Sequence, residues 1–202
     1  MEEVKQSKGT NESLVIHLPT PYGEYQLMAL DDYRPNCTVV LFKGDLAGVE
    51  APLVRLHSEC LTGDIFGSLR CDCGEQLHYA MKQIAQEGVG VIIYLRQEGR
   101  GIGLFNKIKA YQLQEQGMDT VDANKVLGLP VDSRRYDIAA EVLKKLNVSK
   151  VRLMTNNPLK IKNLEEQGIQ VLRRIPIEAK SCKHNLRYLR TKKQRMGHLF
   201  SL

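Results

Sequence analysis

The chain has 202 residues, 29 Lys and Arg against 23 Asp and Glu, a formal charge of +6, and 6% aromatic residues with no Trp. A domain of that length buries roughly 70% of its unfolded surface and stands without disulfide staples. The longest apolar run, VGVIIYL, is far short of the ~20 residues that cross a bilayer, and so few aromatics give no stacking platform for single-stranded nucleic acid.

Residues 1–12 read as a disordered N-terminal segment; MEEVKQSKGTNES has no apolar stretch of the signal-peptide kind, so the expected compartment is the cytoplasm, where thiols stay reduced. From Leu14 to about Leu56 the segments LVIHL, YQLMAL, TVVLF and PLVRL read as strands, separated by turn signals such as TPYGE and KGD. Helices and strands then alternate. GEQLHYAMKQIAQEG sets Leu77, Ala80, Met81, Ile84 and Ala85 at helical spacing and stops at Gly88; FNKIKAYQLQEQG stops at Gly117 and PLKIKNLEEQG at Gly168. Glycine suits the left-handed position that follows a helix end. YDIAAEVLKKLN carries Ile138, Val142, Leu143 and Leu146 on one face, and VGVIIYL, KVRLMT and IQVLRRI read as β-branched strands. The pattern predicts an α+β fold: a single mixed domain over 13–178, with a β-rich N-terminal third followed by alternating helices and strands.

The last segment, 179–202, holds seven Lys or Arg (Lys180, Lys183, Arg187, Arg190, Lys192, Lys193, Arg195) and no acid, which leaves the rest of the chain close to neutral. It reads as the basic C-terminal segment of the same domain, mobile or folded over a site or subunit contact. The alternative is a nucleic-acid-binding tail.

Three of the five cysteines, Cys60, Cys71 and Cys73, follow C-x10-C-x-C. Residues two apart on an extended segment face the same way, so Cys71 and Cys73 can share one ion and a turn through TGDIFG can return Cys60 to them. Three thiolates suit zinc; chance clustering of small buried residues is the bland reading. His57 and His78 are candidate fourth ligands for a closed site, and three thiolates plus water is the open alternative.

RQEGRGIGL (96–104) lies between a predicted strand and a predicted helix, but Leu104 occupies the third glycine position of a dinucleotide fingerprint. Its amides and Arg100 suit an anion at the helix start. Glu98, framed by Arg96 and Arg100, has the chemistry to accept two adjacent N–H donors such as the guanine edge. In TNNPLK, Asn157 is a good N-cap and Pro158 suits the first helical position, which brings Thr155 and Lys160 near the positive helix end.

Taken in order, RLHSECLTGDIFGSLRCDCGEQL, RQEGRGIGLFNKIKAYQLQEQGMDTVDAN, LGLPVDSRRYD and TNNPLK resemble the GTP cyclohydrolase II family, over nearly the whole chain. The resemblance implies a hydrolase that opens the imidazole ring of GTP and releases formate and pyrophosphate, the first step of riboflavin biosynthesis. It implies one catalytic Zn2+ per subunit on Cys60, Cys71 and Cys73, hence the open site, and Mg2+ with the triphosphate. It carries GTP contacts to Arg55, Leu56, His57, Ser58, Glu59, Gln76, Glu98, Gly99, Arg100, Thr120, Thr155 and Lys160. Asp132 is implied as proton acceptor, Arg134 as nucleophile, and Tyr111 as a group near the opening ring. A guanidinium with a pKa above ~12 is a poor nucleophile, so electrostatic stabilisation by Arg134 is the alternative role. Arg135 stands where the family more often carries an acid. The resemblance further implies a homodimer with no nucleic-acid or membrane partner. The rivals are a zinc-stabilised nucleic-acid-binding protein using its basic tail and a degenerate cyclohydrolase that only senses GTP.

Overall fold

The first three expected strands form an antiparallel meander: β1 (Leu14–Thr20), β2 (Gly23–Leu30) and β3 (Thr38–Lys43). The turn between β1 and β2 is Pro21-Tyr22, closed by Thr20, whose hydroxyl donates to the Gly23 carbonyl at 2.7 Å and accepts from the Tyr22 amide at 3.1 Å. A computed structural model describes residues 14–30, 37–179 and 181–199; the segment 1–12 expected to be disordered lies outside the described residues.

The fourth strand, β4 (Leu53–Ser58), does not extend the meander. It pairs in parallel with both β5 (Gly90–Leu95) and β6 (Lys150–Met154), and β7 (Gln170–Ile175) pairs in parallel with β6. Strand order is β1-β2-β3-β5-β4-β6-β7 in one seven-stranded sheet. The sequences explain the division. Residues 53–57 of β4 are all buried, as a parallel strand covered on both faces requires, whereas β2 fully buries only Tyr25 and Met28.

Each face of the parallel half has its own cover. Leu53 and Ile92 pack with Ala80, Met81 and Ile84 of α2 (Cys73–Glu87), joined by Tyr25, Met154 and Ile177. Val54, Leu56, Val91, Ile93, Val151 and Leu153 point the other way, onto Ala139, Val142 and Leu143 of α5 (Asp137–Lys145) and Leu164 of α6 (Pro158–Glu166). Each such Leu or Ile stabilises the fold by roughly 1.5–3 kcal/mol when fully buried. The period-2 alternation that sends Val54 and Leu56 to the α5–α6 side sends Arg55 and His57 to the α2 side.

Gly88, Gly117 and Gly168 follow helices with φ of 81°, 103° and 80°, so the stop signals work as expected. The sequence reading gave no sign of the four-residue α1 (Leu61–Asp64), the 3-10 turn Glu98–Gly101 or α4 (Thr120–Val126), and saw only charge where α7 (Leu186–Met196) forms. α3 (Leu104–Glu115) matches its expected span. With every described strand in one sheet, the architecture is the expected single mixed α+β domain with a β-rich first third. Three loops leave the carboxyl ends of the adjacent strands β5, β4 and β6. That is where ligands bind in sheets whose connections run to both sides of a strand.

Candidate active site

Beyond Ser58 the chain turns sharply into α1, and Asp64 holds the turn. Its Oδ2 accepts from the Cys60 amide and the Tyr94 hydroxyl, both at 2.9 Å, and His57 Nε2 lies 3.0 Å from Oδ1. The turn returns Cys60 to the start of α2. Cys60 Sγ and Cys71 Sγ lie 3.7 Å apart, and the three sulfurs of Cys60, Cys71 and Cys73 are all within 4.8 Å of one another. Two sulfurs each ~2.3 Å from a tetrahedral ion sit about 3.8 Å apart, which the Cys60–Cys71 pair matches, so the trio could hold a metal ion. Gly63 makes the cluster possible: a Cβ there would meet Cys71 Sγ at 2.9 Å and Cys73 Cβ at 3.0 Å.

Among the described residues no histidine or carboxylate joins the trio. His57, one of the two candidate fourth ligands, is engaged with Asp64, and His78 stacks on Tyr22 with centroids 4.9 Å apart. The protein thus offers three ligands. Cys60 accepts hydrogen bonds from Cys71 and Cys73 and faces Lys107, which holds its thiol far below the ordinary range; the same sharing pushes Cys71 up to about 11 and Cys73 well above the ordinary thiol range.

Lys107 was not foreseen. Its Nζ donates to Cys60 Sγ at 3.2 Å, Thr62 Oγ1 at 3.0 Å and Glu98 Oε1 at 2.9 Å. Burial would lower this ammonium, but Cys60, Tyr111 and Glu98 outweigh burial and raise it. Glu98 Oε2 accepts from the Leu61 amide at 2.7 Å, and Oε1 also accepts from the Gly99 amide at 2.6 Å. Both oxygens expected to meet a base edge are therefore committed to Lys107 and to the loops beside the thiols. Tyr111, one helical turn beyond Lys107 on α3, lies under the Arg70 guanidinium at 4.3 Å. Burial pushes its phenol up, only partly opposed by Lys107, so it stays protonated at neutral pH.

The other end of the cleft is cationic. Arg55 donates to the Met154 carbonyl at 3.0 Å and to Gln76 Oε1 at 2.6 Å; Gln76 in turn donates to Asp72 at 2.6 Å, and Lys192 meets Asp72 at 2.9 Å. Lys160, 4% exposed, donates to the Leu56 carbonyl at 2.6 Å. Burial first, then the charges of Arg55, Arg134 and Lys192, pushes Lys160 well below the usual lysine range. Asp132 forks onto Arg134, with Nε at 2.8 Å and Nη2 at 2.5 Å, and raises the guanidinium further despite burial. Arg135, the departure noted in the sequence, pairs with Asp137 on the exposed side, away from this fork.

Both ends open into one cleft. Every residue expected there lines it except Leu56 and Asp132. The Leu56 side chain is fully buried in the core and its carbonyl accepts from Lys160; Asp132 reaches the cleft only through its fork onto Arg134. Asn124, Asn156, Tyr188, Lys192 and His198 line the cleft without having been foreseen. Among the described residues six buried polar side-chain atoms lack a hydrogen-bond partner, and five of them, Arg55 Nε, His57 Nδ1, Gln114 Nε2, Asn124 Oδ1 and Asn157 Nδ2, belong to lining residues; the sixth is the Tyr136 hydroxyl. Buried polar atoms are otherwise paired nine times in ten, so this concentration marks a surface shaped for a polar ligand.

A family model described as GTP cyclohydrolase II matches residues 11–176. The riboflavin biosynthesis protein RibBA of Chlorobium phaeovibrioides is 48% identical over 200 residues, 98% of this chain and 49% of its own. The RibBA of Cytophaga hutchinsonii is 52% identical over 195 residues, 94% of this chain and 48% of its own. The chain spans about half the length of these curated relatives. A solved two-domain 3,4-dihydroxy-2-butanone 4-phosphate synthase, RibBX from A. baumannii, aligns over 84% of this chain and 40% of its own, with TM-score 0.44 and 17% identity.

Proposed function

The chain belongs to the GTP cyclohydrolase II family, and on that premise we propose that it hydrolyses GTP, opening the imidazole ring with loss of formate and pyrophosphate in riboflavin biosynthesis. The observation that carries this reading is the joining, in one cleft, of a cluster of three cysteine sulfurs to a set of cationic side chains, Arg55 and Lys160 buried, Arg100 and Arg134 half-buried. GTP presents the matching pair: an amidine carbon at one end and about four negative charges at the other.

Zinc on Cys60, Cys71 and Cys73 supplies an activated water when bound. Three thiolates overcompensate a divalent ion by one charge, and the Lys107 ammonium against Cys60 offsets that excess. Tyr111, held protonated, is suited to donate a hydrogen bond or a proton to a nitrogen of the opening ring. Arg55, Arg100 and Lys160 bind phosphate oxygens, each charge-assisted bond contributing roughly 1.5–3 kcal/mol. Beside Arg55, Arg100 and Lys160, a Mg2+ ion bound with the triphosphate would supply further neutralisation of phosphate charge. The fork from Asp132 stabilises the cationic form of Arg134, which favours Arg134 as a fixed positive charge for phosphoryl transfer over a role as nucleophile. The working form is a cytoplasmic homodimer. No described helix is long and apolar enough to cross a membrane.

Incubating the zinc-loaded protein with GTP and Mg2+ should release formate and pyrophosphate together. A chain that binds GTP without releasing either is a sensor, and one that leaves GTP untouched after zinc reconstitution refutes the reading. A search for a nucleotidyl adduct in wild type and in Arg134→Ala tests the arginine: an adduct present in the first and absent in the second restores the covalent role.

A further inference from the structure

The C-terminal segment is bound to several of the segments that border the cleft. On α7, Leu189 is 2% exposed and anchors the helix. Lys192 Nζ donates to Asp72 at the start of α2 at 2.9 Å. Arg195 bridges Asp119 and Asp122, meeting Asp122 at 2.9 Å and 3.0 Å; Asp119 is the N-cap of α4, whose first residue is Thr120. Beyond the helix, the Leu199 amide donates to the Asn156 carbonyl at 2.8 Å, in the turn after β6. Lys192 and Arg195 of the basic tail thus have internal partners, as does Arg187, which donates to the Gly117 carbonyl at 2.5 Å.

This anchoring fixes what α7 presents to the cleft. Tyr188 carries Lys192 Nζ 4.4 Å from its ring centroid and the Arg100 guanidinium at 5.7 Å, so one ring aligns a cation from each side of the cleft. Lys192 also belongs electrostatically to the phosphate end, since with Arg55 and Arg134 it makes up the field felt by Lys160. Asp72, which orients Lys192, also accepts from Gln76, the partner of Arg55; one buried carboxylate therefore holds two cations on a common side of the cleft.

We propose that α7 is a wall of the substrate site, in which Lys192 binds the polyphosphate of the nucleotide and Tyr188 positions Lys192 and Arg100 for that contact. The inference rests on the reading of the substrate as a nucleoside triphosphate.

The test measures dissociation constants of the full-length, zinc-loaded chain for inorganic pyrophosphate and for guanosine, which separate the two ends of the site. Lys192→Met should weaken pyrophosphate by about 10- to 100-fold and leave guanosine within about 3-fold, and Lys192→Arg should restore pyrophosphate to within about 3-fold of wild type. Pyrophosphate affinity unchanged in Lys192→Met overturns the inference. Equal loss of pyrophosphate and guanosine also overturns it, because the residue is then only structural. Should Lys192→Met fail to fold, Arg195→Ala, outside the cleft, carries the test: releasing the anchor should weaken pyrophosphate several-fold with guanosine unchanged, and no loss refutes the wall. A wild-type chain that binds neither pyrophosphate nor GTP brings down the nucleotide reading itself, and this inference with it.

Discussion

Lys107→Met should destabilise the zinc-loaded chain by about 3–5 kcal/mol, and adding Glu98→Gln should restore part of that loss. The two side chains are 9% and 10% exposed and meet at 2.9 Å. At an effective dielectric near 20, the attraction at that distance is about 6 kcal/mol before desolvation is subtracted. Removing the ammonium alone leaves the Glu98 carboxylate buried beside three sulfurs, and uncompensated buried charges of this kind cost about 3–5 kcal/mol. Glu98→Gln keeps an oxygen for the Leu61 amide and leaves Lys107 its contact with Cys60, so it should cost only about 1–2 kcal/mol. The double variant contains neither charge and should be more stable than Lys107→Met, with a coupling energy of about 2–3 kcal/mol. Urea unfolding of the four proteins, followed by circular dichroism with zinc held constant, measures the cycle. Additivity within about 0.5 kcal/mol would refute the claim that the pair acts as a unit.

Gly63→Ala places a methyl 2.9 Å from Cys71 Sγ and should lower zinc affinity at least tenfold, measured by chelator competition; wild-type retention would mean the sulfurs can move aside. Burial, with Lys192 and Arg134, holds His198 at about 3, while the unfolded chain protonates near 6.5. Below 6.5 the unfolded state therefore binds the extra proton, and this residue's share of stability falls by about 1.4 kcal/mol between pH 7.5 and 5.5. Urea midpoints should fall less over that range in His198→Asn than in wild type, and parallel slopes would exclude the assignment. Lys160→Met removes a desolvated ammonium set among three cations. It should leave stability at pH 7 unchanged or raised while weakening GTP binding at least tenfold, and a large loss of stability would show that Lys160 serves the fold rather than the ligand.

What was legible followed from short-range signals. The C-x-C pair and its distant third cysteine could be read because metal ligation constrains spacing, and Asn157-Pro158 because an N-cap works within three residues: Asn157 Oδ1 accepts from the Leu159 amide at 3.0 Å, as expected. Lys107 was within reach, since it stands four residues before Tyr111 on one helix face, but its value comes from Cys60, which is 47 residues away. The partners of Glu98 were out of reach for the same reason: its neighbouring arginines were legible, whereas the fold brings Lys107 and the Leu61 amide to it. The tail is the largest case. Composition counts its charges, but the acids that hold it, Asp72, Asp119 and Asp122, lie 120, 76 and 73 residues upstream. α4 and α1 are too short for a hydrophobic period to register.

The departures from good folding practice fall in one place. Arg55 and Lys160 are charged and almost wholly buried, and Arg100 holds φ at 62°, a conformation that costs a side-chain-bearing residue roughly 1–2 kcal/mol. Five unpartnered polar atoms face the same cleft. The fold enforces these features rather than merely tolerating them. The Ser133 amide donates to the Arg100 carbonyl at 3.1 Å, and Gly101 lies so close to Ser133 that a Cβ would meet its Oγ at 2.4 Å, which fixes the strained loop in position. None of this strengthens the core, which the two hydrophobic layers around β4 already supply. Local strain and buried charge persist where a ligand compensates them. A polyanion in the cleft would do so for the cations and for an unpaired donor such as Arg55 Nε, and it would meet the strained loop at Arg100.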